Sequence, residues 1–525
     1  MTPPPAATAT QPAQVVQPDG RVELADYASI EHSPYTNADL APVPIERRRW
    51  STYNYAALWI GMAHNIPSYL LASGLIALGM DWVQALLTIT LGNLLVLLPM
   101  LLNSHAGTKY GIPFPVFARA FFGIRGANVA ALLRAFIACG WFGIQTWIGG
   151  QAIQVVTGKL VGDSWTQAGA LAGKPWTLWL SFGVFWLIQM MIIWRGMETL
   201  RRFENWAAPF VIVVAVVLLV WILVKAGGLG PVLDQRSELG WGADFWKLFA
   251  PSLMAMVAFW STLSLNMPDF TRFSAGQRQQ VLGQTLGLPT TMSFFAILSV
   301  LITSGTAVVY GVPIWDPIVL AARFDSTVVV ALGLLTIVVA TIAVNLAANV
   351  VSPSYDFSNA APRLVTFRIG GMITGVLGIV IQPWRLLESP DVYIFAWLGF
   401  YGGLLGAVAG VLIAGYWLIN RTRLELPELY LRDGRYWFTA GFNWRALVAV
   451  GVGMLLSVGG AYSAIDATGA KNGPFPTDGL IPLLQPLYDY SWAVGLVAGF
   501  LTFVVLSRPA PRREPAGQLA TVPTG

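Results

Sequence analysis

Apolar blocks of about 20 residues recur along the chain, several without one charged residue, and about 20 is the length a helix needs to cross the hydrocarbon layer. A soluble protein with a large core is the alternative. It does not account for blocks of this length and purity, nor for a charged fraction of 11% and a mean hydropathy of +0.62. Soluble domains carry roughly a quarter charged residues. The 53 glycines point the same way, because small residues let membrane helices approach closely. Twelve spans are expected, near 53–78, 82–102, 128–157, 175–194, 207–226, 247–268, 288–311, 327–351, 371–383, 392–419, 444–463 and 490–507. Residues 1–45 and 508–525, rich in Pro and polar residues, read as disordered cytoplasmic tails.

Basic residues set the orientation. With both termini cytoplasmic, 22 of the 31 Lys and Arg residues fall in inner segments and 8 in outer ones, leaving Arg134 inside a span. That asymmetry follows the positive-inside rule and argues against a missed span. The formal charge of +5 is therefore no nucleic-acid signal. A single cysteine, Cys139, excludes a disulfide framework, and three histidines offer no zinc constellation. No cofactor is expected.

Two spans are interrupted alike. The first carries Gly61, His64, Asn65 and Pro67; the sixth carries Phe259, Trp260, Ser261, Asn266 and Pro268. Interruptions in the first and sixth spans predict two five-helix repeats of inverted topology, 46–226 and 227–420, followed by a helix pair over 421–507. A simple proline kink is the plainer reading of each break taken alone.

Polar side chains inside apolar helices need a partner or a cavity. Trp141 and Gln145 stand four residues apart, on one helix face, as do Asn345 and Asn349. Asn65 adds an amide at the first break and Trp260 an aromatic ring at the second. Two indole faces rimmed by amides match a neutral planar heterocycle with cis-amide groups. Such residues also hold membrane helices together, so each alone has a structural reading. His64 could titrate and couple proton movement, or contribute only backbone and structural bonds. Arg134 is expected to reach toward the inner interface, and no carboxylate relay is visible in the spans. No set of nucleophiles, acids or metal ligands converges as an enzyme would need, and the polar residues cluster at one depth rather than lining a continuous channel.

Several runs carry a family resemblance: His105-Ala-Gly-Thr-Lys-Tyr-Gly-Ile-Pro-Phe-Pro-Val-Phe-Ala-Arg119, Trp141-Phe-Gly-Ile-Gln-Thr-Trp147, Asn266-Met-Pro-Asp-Phe-Thr-Arg272 and Asn345-Leu-Ala-Ala-Asn-Val-Val-Ser-Pro353. Over roughly residues 46–460 the chain resembles nucleobase:cation symporter family 1, which includes permeases for hydantoins, allantoin, uracil, cytosine and purines. The resemblance implies an all-α integral membrane fold of the leucine-transporter type, with twelve transmembrane helices and alternating access. It places stacking tryptophans at Trp141 and Trp260, substrate amides at Gln145 and Asn349, and a polar helper at Asn345. Asn65 stands where hydantoin carriers have a glutamine, and Phe259 where they have a small residue, so hydantoin itself is disfavoured. The family sodium site would draw on carbonyls of Gly61, His64 and Ala340 and on two span-eight hydroxyls, but those two positions are Ala343 and Val344. A hard cation needs about six oxygen ligands, and aliphatic side chains supply none. The expectation is a monomeric carrier in the cell membrane, surrounded by lipid, that takes up allantoin or uracil with a proton and without sodium. A sodium-coupled hydantoin or purine/cytosine permease is the alternative, and a transporter-like receptor a distant one.

Overall fold

The computed structural model describes residues 13–195, 213–324, 326–432, 434–465, 469 and 471–507. Start of the fifth expected span, Arg201, Arg202 and the C-terminal tail lie outside the described residues. Helices dominate what is described; β-structure there amounts to three two-stranded pairs, one in the N-terminal segment and two in connecting segments.

The first expected span is two helices, α1 (Thr52–Ala63) and α2 (Ile66–Ala77). The chain leaves helical geometry at His64 and Asn65, and the Asn65 side chain caps α2 by accepting from the Ser68 amide. Pro67 sits in the first turn of α2, where its missing N–H costs nothing. Next come α3 (Trp82–Tyr110), α4 (Phe114–Phe122), α5 (Ala127–Val161), α6 (Trp176–Arg195) and α7 (Val213–Lys225). The sixth span breaks at Trp260, between α8 (Ala243–Phe259) and α9 (Ser261–Asn266). Then follow α10 (Gln277–Tyr310), α11 (Thr327–Asn349), α12 (Val351–Ala360), α13 (Phe367–Val380), α14 (Val392–Ile419), α15 (Trp444–Val458) and α16 (Ser491–Leu506). Among the described residues, six helices or continuous helical stretches are long and apolar enough to cross a bilayer uninterrupted. The broken first span falls short by that measure because each half has only 12 residues.

Packing sorts the spans into two groups. Helices α1, α2, α3, α8, α9 and α10 pack mainly on one another; α5 is surrounded by α6, α11, α12 and α13. The α14 helix packs with α15 and α16 and touches α8. Both broken helices therefore belong to the first group, and the amide-bearing α5 and α11 to the second.

Residues 13–45 differ from the disordered tail expected. Strands β1 (Gln14–Val16) and β2 (Val22–Leu24) pair antiparallel, and Val22, Leu24, Ile30 and Leu40 are buried in the main core. Two buried arginines hold this segment. Arg48 donates to the Val43, Val22 and Tyr110 carbonyls at 2.7, 2.9 and 3.3 Å, so it joins the segment to the C-terminal end of α3. Arg119 of α4 reaches the Tyr35 carbonyl at 2.8 Å and Asn359 at 2.7 Å. Burial pushes the Arg48 guanidinium down to about 10, which leaves it cationic at neutral pH. Pro-rich composition masked these four spaced apolar residues and the two cations that anchor the segment.

Candidate functional site

The face of α5 that carries Trp141 and Gln145 meets the break between α8 and α9. Trp141 is buried and donates through Nε1 to the Tyr401 hydroxyl at 3.2 Å. Edge-to-face contacts hold its ring against Phe259 (centroids 5.2 Å, 80° between planes), Tyr393 and Trp397. Phe259 also meets Trp260 edge to face at 4.9 Å, and Trp260 meets Trp59 at 5.2 Å. The expected pair of tryptophans is thus linked through Phe259 in a run Trp141–Phe259–Trp260–Trp59, each contact near perpendicular, the geometry that opposes a ring edge to a π-face. The Nε1 donors of Trp260 and Trp59 and the Oε1 acceptor of Gln145 are buried without partners. Buried polar atoms are normally paired, so these three unpaired groups are free to meet a ligand.

The other amides sort differently. Asn349 donates to Asn345 Oδ1 at 2.9 Å, and Asn345 donates to Gln189 Oε1 at 2.7 Å and to the Phe142 carbonyl at 3.1 Å. Gln189 in turn donates to Thr146 at 3.0 Å. Asn345 is therefore a strut between α11, α5 and α6, which aligns Asn349. Gln189 was not singled out from sequence, although a lone amide inside the apolar fourth span was the available signal. Asn65 has both polar atoms engaged at the break: Nδ2 donates to the Met62 carbonyl at 2.5 Å and Oδ1 accepts from the Ser68 amide at 2.8 Å. Its amide serves the backbone.

His64 Nδ1 donates to the Ile60 carbonyl at 2.6 Å, its ring lies edge to face on Phe295 at 5.1 Å, and Nε2 is buried without a partner. Gly61 lies beside open space, since an added methyl would meet nothing within 4 Å. Helix α11 contacts α1, and its Ala340 and Val344 are both buried. The side chain of Ala343 lies outside the described residues. Val344 offers no oxygen, so the sodium donor set is short on the α11 side.

Arg134 departs from expectation. It does not extend to the inner interface; it is buried and paired with Asp356 of α12 at 3.0 Å. Helix α12 also extends the eighth span to Ala360, past the expected end at 351. A separate cavity of about 770 Å³, lined by Pro34, Arg125, Asn128, Arg363 and Phe442, contains none of the aromatic or amide site residues.

Comparison with known proteins decides the family. Residues 42–495 match the permease family for cytosine/purines, uracil, thiamine and allantoin. The chain is 42% identical over 484 residues to an allantoin permease of Bacillus subtilis, covering 91% of this chain and 94% of that one. The chain belongs to nucleobase:cation symporter family 1. It is also 40% identical to a purine-uracil permease of Arabidopsis thaliana, covering 90% of this chain and 78% of that protein. The fold matches that of Mhp1, a member of the same family solved in a closed conformation with bromovinylhydantoin bound, at a TM-score of 0.72 and 24% identity, over 90% of this chain and 95% of that one. The chain is thus an α-helical membrane transporter of the nucleobase type rather than an enzyme, and its twin helix breaks are consistent with the inverted repeat of that fold.

Proposed function

We propose that this carrier imports a small planar ureide or nucleobase, with allantoin as first substrate and uracil as second. The observation that carries the reading is the α5 face with its α11 neighbour: Trp141 fixed by Tyr401 and Gln145 with a free buried acceptor on α5, and Asn349 of α11 aligned by the Asn345–Gln189 strut. A flat ring with cis-amide edges stacks on the indole while its N–H and C=O groups meet Gln145 and Asn349. Near-full-length likeness to an allantoin permease ranks the ureide first. Phe259 beside Trp141 leaves less room than a small residue would, which disfavours bulky hydantoins.

In this reading twelve spans cross the cell membrane with both termini cytoplasmic, and a monomer works by rocking the two helix groups about the site. Uptake is driven by protons, since Val344 and Ala343 leave a sodium ion without the hydroxyls it would need. Competition of labelled allantoin uptake by allantoin, uracil, hydantoin, cytosine and purines in proteoliposomes tests the substrate. Strong competition by allantoin or uracil alone is expected; competition confined to purines overturns it.

A further inference from the structure

A second buried polar cluster lies outside the aromatic and amide site. Arg134 Nη1 stands 3.0 Å from Asp356 Oδ2, and the two side chains are 1% and 0% exposed. Asp269 belongs to the short helix Pro268–Thr271 that follows α9, and its Oδ1 accepts from the Phe114 amide at 2.7 Å. The Ser352 hydroxyl and the charges of Arg134 and Arg272 lie beside it. Asp356 Oδ1, Asp269 Oδ2, Arg134 Nε and Asn266 Oδ1 are all buried without hydrogen-bond partners.

An ion pair that only braces the fold is stable when its remaining lone pairs and protons are satisfied. Here each of two buried carboxyls keeps one oxygen outside the bonds described, and Arg134, bonded to Asp356, acts on Asp269 only through its charge. An ionised carboxylate so placed is costly, and a proton on the free oxygen removes that cost.

The placement ties this cluster to the substrate site. Arg134 precedes Trp141 by seven residues on α5, Asp356 follows Asn349 by seven, and Asp269 follows Trp260 by nine. Seven residues are about 10 Å of helix. The same three segments therefore carry both sites. Asn266 donates to Ser352 Oγ at 2.5 Å, joining the two helix groups at the cluster. Asp269 belongs to the helix group of the breaks, and Arg134 and Asp356 to the other, so the cluster sits on the seam that alternating access would open.

We propose that Asp269 and Asp356, with Arg134, form the coupling-proton site of this carrier. A proton from external water forms an O–H bond on one of these carboxyls, and that bond breaks with release of the same proton to cytoplasmic water as substrate is delivered. The other charged or titratable groups facing the cluster are Arg272, stacked on Tyr355 at 4.8 Å and donating to the Asp39 carbonyl, together with Tyr355 itself, Cys139 and Asp39. The proposal rests on the proton-driven uptake proposed above.

The test uses full-length protein in proteoliposomes, with labelled allantoin and an entrapped pH dye. The parent is expected to accumulate substrate on an inward proton gradient and to acidify the lumen. Asp269→Asn and Asp356→Asn are each expected to lose at least tenfold of gradient-driven accumulation and the acidification signal. Both should retain substrate binding by tryptophan fluorescence and exchange of internal for external substrate without a gradient, readouts that an unfolded variant would lose. A coupled parent whose two variants remain equally coupled overturns the assignment, as does loss of binding and exchange together with accumulation. A parent that binds and exchanges but ignores the proton gradient removes proton coupling, and this site with it.

Discussion

Amide side chains in apolar helices look alike in sequence, and their bonds separate them. Asn65 and Gln145 are both buried, yet the first has donor and acceptor engaged by backbone while the second has a free Oε1. Replacing Asn65 by Ala removes an N-cap, a loss of about 1 kcal/mol, and leaves the Met62 carbonyl unpaired. The expected outcome is a lower unfolding temperature and reduced uptake rate, with substrate affinity nearly unchanged in the protein that remains folded. Gln145→Ala should do the reverse: at least tenfold weaker binding, about 1.4 kcal/mol, with the unfolding temperature held. Asn349→Ala should weaken binding as much and also lower the unfolding temperature, because it strips the buried Asn345 Oδ1 of its donor. Trp141→Ala should abolish high-affinity uptake while surface expression persists. Thermal-shift and binding titrations on the same preparations separate the two classes, and equal behaviour of Asn65 and Gln145 variants would remove the distinction. Sequence singled out Trp141, Gln145, Asn349 and Asn65 alike because a polar group in an apolar run is conspicuous. It could not tell ligand from strut from cap, since that depends on which carbonyls tertiary packing brings within reach.

Helices were legible where their chemistry was uniform. The breaks at His64–Asn65 and at Trp260 followed from glycine, proline and polar residues inside apolar runs, and the structure places both there. Helix α12 was missed because Ser352, Ser354, Asp356, Ser358 and Asn359 end the hydropathy signal, although every one of them is buried. Burial inside protein substitutes for apolarity when partners are supplied, as Arg134 does for Asp356. The close approach of α5 and α13 is a packing feature that glycine content only hinted at. A methyl on Gly143 would stand 2.2 Å from the Gly378 carbonyl oxygen, a backbone atom that cannot turn aside. Gly143→Ala should therefore push α13 outward, at a cost of about 1–3 kcal/mol, and lower the unfolding temperature. Gly183→Ala on α6, where an added methyl meets nothing within 4 Å, should be neutral or slightly stabilising through helix propensity. Equal melting temperatures for the two variants would show that the α5–α13 contact yields easily.

At the scale of the whole molecule the question is which ion gradient moves the two helix groups. The family resemblance implies a sodium site between α1 and α11, and those helices do meet here. The two side chains that the resemblance would make ligands carry no oxygen: Val344 is buried and aliphatic, and Ala343 precedes it in sequence. Backbone carbonyls from the α1 break alone fall short of the roughly six oxygens a hard cation takes. Replacing external sodium by choline should accordingly leave allantoin uptake by the parent unchanged, whereas a protonophore should collapse accumulation. Restoring the hydroxyls tests the argument from the other side. The double substitution Ala343→Ser and Val344→Thr should make uptake respond to sodium, because it adds two oxygen donors at the positions where the family resemblance implies hydroxyl ligands. Sodium-stimulated uptake in the parent would overturn the donor-count argument outright. A folded, binding-competent double variant that stays indifferent to sodium would instead show that the break at His64 holds its carbonyls in a geometry no longer suited to the ion. The loss of coupling would then lie in the backbone of α1, with the side chains of α11 following it.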